Sequence, residues 1–175
     1  MNDKNARNYL NDYHWGISFS GLINADLKKV WDVISKQSAL ELFHPFCVEN
    51  KASIWPGKSS TDTIKYLNGM KLTREFCYWE DEKGFDLRIH NNGKNHSFVT
   101  WRILGQVRTV NIVITIYPYL FNRGNKFMNM IPFFVFVRPQ LKRYLASVVG
   151  GLRWHIDNNE KPVPKNHFGK HVWFS

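Results

Sequence analysis

The stretch that decides the fold is PQLKRYLASVVGGLRWHIDN, residues 139–158. Leu141, Leu145, Val148, Val149, Leu152 and Ile156 recur there at helical spacings and share one stripe. The intervening positions carry Lys142, Arg143 and Arg153, so the helix is amphipathic and must bury its stripe against something earlier in the chain. Gly150-Gly151 inside it costs about 1 kcal/mol per glycine relative to alanine. Close approach of the helix backbone to a sheet, or room for a ligand beneath it, is the expected compensation.

Upstream, the period changes from 3.6 to 2. Trp15, Ile17 and Phe19 alternate with Gly16, Ser18 and Ser20, which predicts a strand over 14–21. Leu27, Val30, Trp31 and Ile34 predict a short helix within 25–37, capped by Asn24 or Asp26. A second helical turn over 39–43 ends at His44-Pro45, because the residue before a proline is pushed out of the helical region. Six more strands follow, at 46–54, 61–67, 70–79, 85–90, 96–104 and 108–117. They are punctuated by Trp55-Pro56-Gly57, Asn68-Gly69, Lys83-Gly84, Asn92-Gly93 and Gly105, and stopped by Pro118. This order predicts an α+β fold: a curved antiparallel sheet of about seven strands wrapped around one long C-terminal helix, with two short helices after the first strand. A sheet larger than its helix can cover leaves a cavity.

Alternation also assigns faces. Phe85, Leu87 and Ile89, then Val99, Trp101 and Ile103, then Val110, Ile112, Ile114 and Ile116 are expected on the concave side. Their charged alternates, Asp86, Arg88, His90 and Arg102, are expected in solvent. The strand at 70–79 is ambiguous. Leu72, Phe76 and Tyr78 look inward and would carry Arg74 with them, whereas a two-residue Asn68-Gly69 turn pairs Ile64 with Thr73 and Tyr66 with Lys71. That register also sets Asp62 opposite Glu75, a repulsive pair that a bulge would relieve.

With 175 residues the chain reads as a single domain, residues 14–158, with a polar segment at 1–13 expected to be disordered and a tail at 159–175. Phe168, Val172, Trp173 and Phe174 make that tail too aromatic for a disordered segment, so it is expected to fold back on the domain. Apolar runs are too short to span a bilayer and residues 1–13 have no apolar signal core, which reads as cytoplasmic. Cys47 and Cys77 have neither disulfide nor metal spacing, and His167 and His171 would suit a metal only on a helix that Gly169 opposes. No metal and no cofactor is expected. The net charge of +10 is not accompanied by a nucleic-acid-binding motif; a basic surface, an anionic ligand or transient contact with an anionic membrane surface accounts for it better.

The element order resembles the START-like SRPBCC superfamily, whose fold is the helix grip, and within it the polyketide cyclase/dehydrase-type branch. Trp31 in the first helix, Gly150-Gly151-Leu152 in the last, and the stretches 24–35, 42–47 (LFHPFC), 62–76 and 145–156 carry the resemblance. It implies a hydrophobic tunnel between sheet and helix. It assigns no activity, since such a fold hosts many functions, and no catalytic residue is carried over.

Candidate ligand-binding residues follow from position. Arg74, if inward, can hold a carboxylate or enolate by two parallel hydrogen bonds. His44 sits where the short helices meet the sheet, and its imidazole is a candidate general base as well as a helix stop. Tyr66, Trp101 and Tyr117 are candidate aromatic walls, and Leu145, Val149 and Leu152 the apolar floor on the helix. Residues 119–137 interleave Phe121, Phe127, Met128, Met130, Ile131, Phe133 and Phe134 with Arg123 and Lys126, which reads as a lid over the tunnel mouth or as a dimer contact. The function expected is binding of a small hydrophobic or amphipathic ligand (lipid, polyketide-like or aromatic). Two alternatives stay open: a cyclase- or dehydratase-type enzyme using the same cavity, and a protein-interaction or homodimerisation module.

Overall fold

A computed structural model describes residues 10–91, 95–106 and 108–175. Of the segment 1–13 expected to be disordered, residues 1–9 lie outside the described residues, as does the Asn92-Gly93 turn, whereas Tyr13 is buried and its hydroxyl donates to the His96 carbonyl at 2.7 Å. Seven strands form one antiparallel sheet: β1 Ile17–Ile23, β2 Cys47–Ile54, β3 Thr61–Tyr66, β4 Lys71–Glu80, β5 Gly84–His90, β6 His96–Gln106 and β7 Thr109–Tyr117. Their spatial order is β1-β7-β6-β5-β4-β3-β2, so hairpins build the sheet outward from β7 while β1 closes on its far side. Between β1 and β2 lie α1, Leu27–Ile34, and α2, Leu40–Phe43. Asp26 caps α1 by accepting from the Lys29 backbone N–H at 2.7 Å.

The closing helix, α4, spans Arg138–Asp157 and buries Leu141, Leu145, Val148, Val149, Leu152 and Ile156 against the concave face. The glycine pair resolves differently from the expectation. A Cβ on Gly151 would lie 2.1 Å from the Phe43 carbonyl oxygen, so the helix backbone meets the end of α2 and not the sheet. Against the sheet the close approach is made by the strand: a Cβ on Gly21 of β1 would lie 2.6 Å from Val149 Cγ1.

Residues 119–137 are helical over most of their length. Helix α3, Lys126–Pro132, runs through a π turn at Phe133–Val137 directly into α4. Pro132 supplies no N–H for the α-helical ladder, and the chain widens for one turn before the regular pattern resumes.

The hairpin between β3 and β4 settles the ambiguous strand. Tyr66 and Met70 flank a three-residue loop in which Gly69 has φ +84°, a left-handed position that favours glycine. The register is therefore one residue away from the two-residue-turn expectation: Ile64 faces Leu72, Thr63 faces Thr73 and Asp62 faces Arg74. A one-residue slip exchanges the faces, and it places Asp62, Ile64, Tyr66, Arg74 and Phe76 inside. A bulge does occur, at Cys77 in the β4–β5 pairing. It turns Tyr78 outward, against expectation, and brings Trp79 in.

The charged alternates of β5 and β6 are also not simply solvated. Asp86 is 1% exposed and accepts two hydrogen bonds from Arg102, whose guanidinium also lies over the Tyr78 ring at 5.4 Å. Arg88 and Glu75 pair at 3.1 Å beside them. The convex face thus carries its own ionic layer.

Candidate functional site

The concave space is unequal along its length. Beneath α1, Trp31, Trp55, Phe76, Trp79, Phe85 and Trp101 fill it with interlocked rings. Beneath the start of α4 it stays open as a cleft of about 720 Å³. Leu72, Ile89, Val99 and Ile116 of the sheet form one wall, Val137, Leu141 and Tyr144 the other, and Phe174 of the tail closes one side. Behind the cleft a small cavity of about 40 Å³ reaches past Tyr66 and Tyr144 to His44, Arg74 and Trp101.

The polar groups at this inner end form two units. In the first, Asp62 and Arg74, placed opposite each other by the hairpin register, form a buried two-pronged ion pair. Arg74 Nε donates to Asp62 Oδ1 at 2.7 Å and Nη2 donates to Oδ2, while Asn50 Nδ2 donates to the same Oδ2 at 3.0 Å. Desolvation opposes the charge on Arg74, yet the adjacent carboxylate raises its pKa above the ordinary value. The fork proposed for a ligand carboxylate is thus occupied by one of the protein's own. Arg74 lines the inner cavity, but as part of a neutral pair.

The second unit is a chain of three side chains. The Phe46 backbone N–H donates to His44 Nδ1 at 3.2 Å, so the imidazole proton sits on Nε2, which donates to Tyr144 Oη at 2.9 Å. Tyr144 Oη in turn lies 3.2 Å from Tyr66 Oη. Burial drives the His44 pKa down to about 3, with Arg74 and Lys165 adding to the effect. Burial likewise pushes Tyr144 up to about 12 and Tyr66 well above its usual value. All three groups are neutral near pH 7, and His44 is no general base there. The two hydroxyls share one hydrogen bond and accept one from His44, so one hydroxyl proton of the Tyr66–Tyr144 pair has no acceptor among the described residues. It is a donor available at the inner end of an apolar cleft.

The sequence candidates separate accordingly. His44, Tyr66, Arg74, Trp101 and Leu145 come together around the inner cavity. Val149 and Leu152 are buried in the helix–sheet contact away from it, where they hold α4 in place. Tyr117 lies on the convex face, because Ile116 takes the inward position on β7; its ring packs against Tyr13 and Phe98. Tyr144 was missed, although it lies three residues after Leu141 and four before Val148, on the edge of the apolar stripe. Asp62 figured only as a repulsive neighbour of Glu75. His171 ties the tail down instead of binding a metal: it accepts from the Trp173 N–H at Nδ1, donates from Nε2 to the Gln140 carbonyl at 3.0 Å, and stacks on Phe174. Phe174 in turn packs on Tyr66 and Tyr144 with centroids 4.6 and 4.5 Å away.

No family model matches the chain, and no curated protein matches it in sequence. Solved structures do match in fold. DynU16, a protein of the dynemicin biosynthetic locus, superposes with a TM-score of 0.64 at 15% identity over 84% of this chain and 48% of its own. The di-domain ARO/CYC BexL of the BE-7585A biosynthetic pathway gives 0.61 at 9% identity over 82% of this chain and 48% of its own. A START superfamily protein from Mycobacterium smegmatis gives 0.59 at 7% identity over 82% of this chain and 98% of its own. The chain spans about half the length of the first two. It has a START-like SRPBCC fold, the helix grip.

Proposed function

We propose that the protein binds a small molecule with an apolar body and one hydrogen-bond acceptor, the body lying in the cleft and the acceptor meeting the Tyr66–Tyr144 hydroxyl pair. The observation that carries this reading is the unshared hydroxyl proton at the end of an apolar cleft. About 720 Å³ lies within the range of small-molecule sites, and such sites combine mostly apolar walls with a few placed polar groups. The neutral Asp62–Arg74 pair and the neutral imidazole favour an uncharged acceptor, such as a carbonyl, over a carboxylate. Lipids, polyketide-like compounds and aromatic ketones all fit that description, and the cyclase-type neighbours are compatible with it. The cyclase or dehydratase alternative uses the same cleft but needs a group that moves a proton near neutral pH. Burial lowers His44 to about 3 and so weakens it as a base there, while Tyr144, raised to about 12, stays protonated and donates without readily giving up its proton.

Native mass spectrometry of freshly purified protein, followed by solvent extraction, is expected to release a molecule carrying an acceptor on an apolar frame. Replacing Tyr144 with phenylalanine removes the hydroxyl that links His44 to Tyr66. That change alone leaves the Tyr66 hydroxyl proton free, so both hydroxyls must go: a neutral hydrogen bond contributes about 0.5–1.5 kcal/mol, and Tyr66→Phe with Tyr144→Phe is expected to weaken capture of that molecule roughly tenfold. A clean apo mass combined with no uptake of a hydrophobic fluorescent probe defeats the binding reading. Chemical conversion of the extracted compound by the protein puts the enzyme reading in place of the binding one.

A further inference from the structure

Between residues 87 and 156 the chain carries ten Lys and Arg and no Asp or Glu. The remaining 14 Lys and Arg are matched by 14 Asp and Glu, so the whole net charge of +10 belongs to this stretch. The same stretch holds a dense run of exposed large apolar side chains. Phe127 is 84% exposed, Met128 76% and Ile131 67%, and Val135 and Phe136 continue the exposure through the π turn. Phe127, Ile131 and Val135 follow each other at intervals of four, so they lie along one side of the helical segment. Continued by the same interval, that side reaches Pro139 and then Arg143, with Lys142 next to it. Lys126, Arg138, Lys142 and Arg143 are all exposed.

This apolar tip is held firmly. Phe133 and Val137 are each 1% exposed and anchor the π turn from inside, with the Phe133 ring 4.7 Å from Trp15. Asn122 ties the preceding loop to Trp15 by hydrogen bonds of 2.7 and 2.6 Å, and Asn125 caps α3. A folded segment that holds several large apolar side chains in water marks an interaction site.

We propose that α3, the π turn and the first turns of α4 dock the protein on an anionic lipid bilayer, the apolar tip entering the interface and the cations meeting the headgroups. Eight residues of helix separate Val135 from Arg143, about 12 Å along the axis. With the apolar side sunk roughly 5–10 Å into the headgroup–acyl boundary and the segment lying in the interface, Lys126 at one end and Arg138, Lys142 and Arg143 at the other stay within reach of the headgroups. A second copy of the chain is a poorer occupant. A two-fold contact sets the same face against itself, and the helical segment brings four exposed cations and no acidic residue of its own to answer them. Among the described residues no helix is long and apolar enough to cross a membrane, so the contact is peripheral. Tyr119 and Leu120, both exposed, line the cleft next to the tip, so docking turns that side of the cleft toward the bilayer. The docking stands whether or not the cleft holds a ligand.

Flotation of the full chain with vesicles tests it, using phosphatidylcholine alone and phosphatidylcholine mixed with phosphatidylserine. Binding is expected to the mixed vesicles only, and to weaken as salt is raised. Phe127→Ser with Ile131→Ser is expected to cut the affinity roughly 100-fold. Lys142→Gln with Arg143→Gln is expected to cut it roughly 30-fold. All four side chains are exposed, so both variants should keep the wild-type melting temperature. Absence of flotation, or equal flotation with both vesicle types, overturns the proposal. So does a doubled mass in solution that the Phe127→Ser, Ile131→Ser variant abolishes, which assigns the tip to self-association.

Discussion

Beneath α1, ring centroids of Trp31 and Trp79 lie 5.4 Å apart and those of Phe85 and Trp101 5.5 Å, and the concave space is full. Beneath the start of α4 the same sheet face presents Leu72, Ile89, Val99 and Ile116 to a gap of about 720 Å³. The strands contribute apolar side chains to both ends. What differs is the number of directions from which large rings arrive. The full end receives Trp31 from α1, Trp55 from the end of the β2 strand and Trp79 through the β4 bulge. The open end receives Tyr144 from α4 and Phe174 from the tail. Curvature alone therefore makes no cavity. A cavity remains where the covering elements bring too few large side chains to fill the space the curve creates. The Asp62–Arg74 pair stands at the divide, and Arg74 touches the space on both sides of it.

The largest effect is expected at the divide between the two ends. Asp62→Ala strands a buried guanidinium, and removing one partner of such a pair costs about 3–5 kcal/mol. Urea unfolding should show a loss of that size, and Asp62→Asn should recover part of it. Trp101→Ala opens the full end. A buried tryptophan truncated to alanine costs about 3–5 kcal/mol, and a hydrophobic probe should then find a second site beneath α1. An unchanged probe stoichiometry would show that the surrounding rings collapse into the gap.

Acid separates the two ends further, because the histidines lowered by burial, His44 and His171, stand at the open end. His44 is held near 3 in the folded protein against an ordinary value of 6.5, so the unfolded chain takes up its proton first. Its contribution is present above pH 6.5 and is lost as pH falls from 6.5 toward 3. His171, also lowered by burial, acts in the same direction. Melting temperature should drop steadily across that window. His44→Gln should flatten the slope, by up to about 1.4 kcal/mol per pH unit. A parallel profile in the variant would place the acid sensitivity elsewhere.

The smallest effect is expected at the tail. Phe174→Ala removes a ring that wedges against Tyr66 and Tyr144, costing roughly 2 kcal/mol because the site lies at the edge of the core. Isothermal titration with a hydrophobic probe should then detect faster or tighter uptake as the cleft widens. Weaker uptake would show that Phe174 is part of the wall a ligand needs.

The architecture was legible because it rests on periods and turn residues. The stripe from Leu141 to Ile156, the alternation of Val110, Ile112, Ile114 and Ile116, and the order of elements led to a seven-stranded helix grip, which the structure has. The candidate site was legible only in pieces. His44, Tyr66 and Trp101 could be named from their positions, but Tyr117 was assigned to the wrong face because an aromatic residue suits either side of a strand. Tyr144 escaped because a tyrosine at the margin of an apolar stripe looks like ordinary packing until its hydroxyl is seen to meet two partners.

Hydrophobic period and turn chemistry act over a few residues, so the kinds of element, their order and the stripe that α4 buries are all written locally in the chain. Tertiary structure alone decided which polar groups meet. A one-residue change in hairpin register set Asp62 opposite Arg74 rather than Glu75 and turned a suspected repulsion into the buried pair at the heart of the domain. The contact between Tyr66 and Tyr144 joins residues 78 positions apart, and that between His44 and Tyr144 joins residues 100 apart. No local pattern carries such distances; they arise when the helix is laid across the sheet.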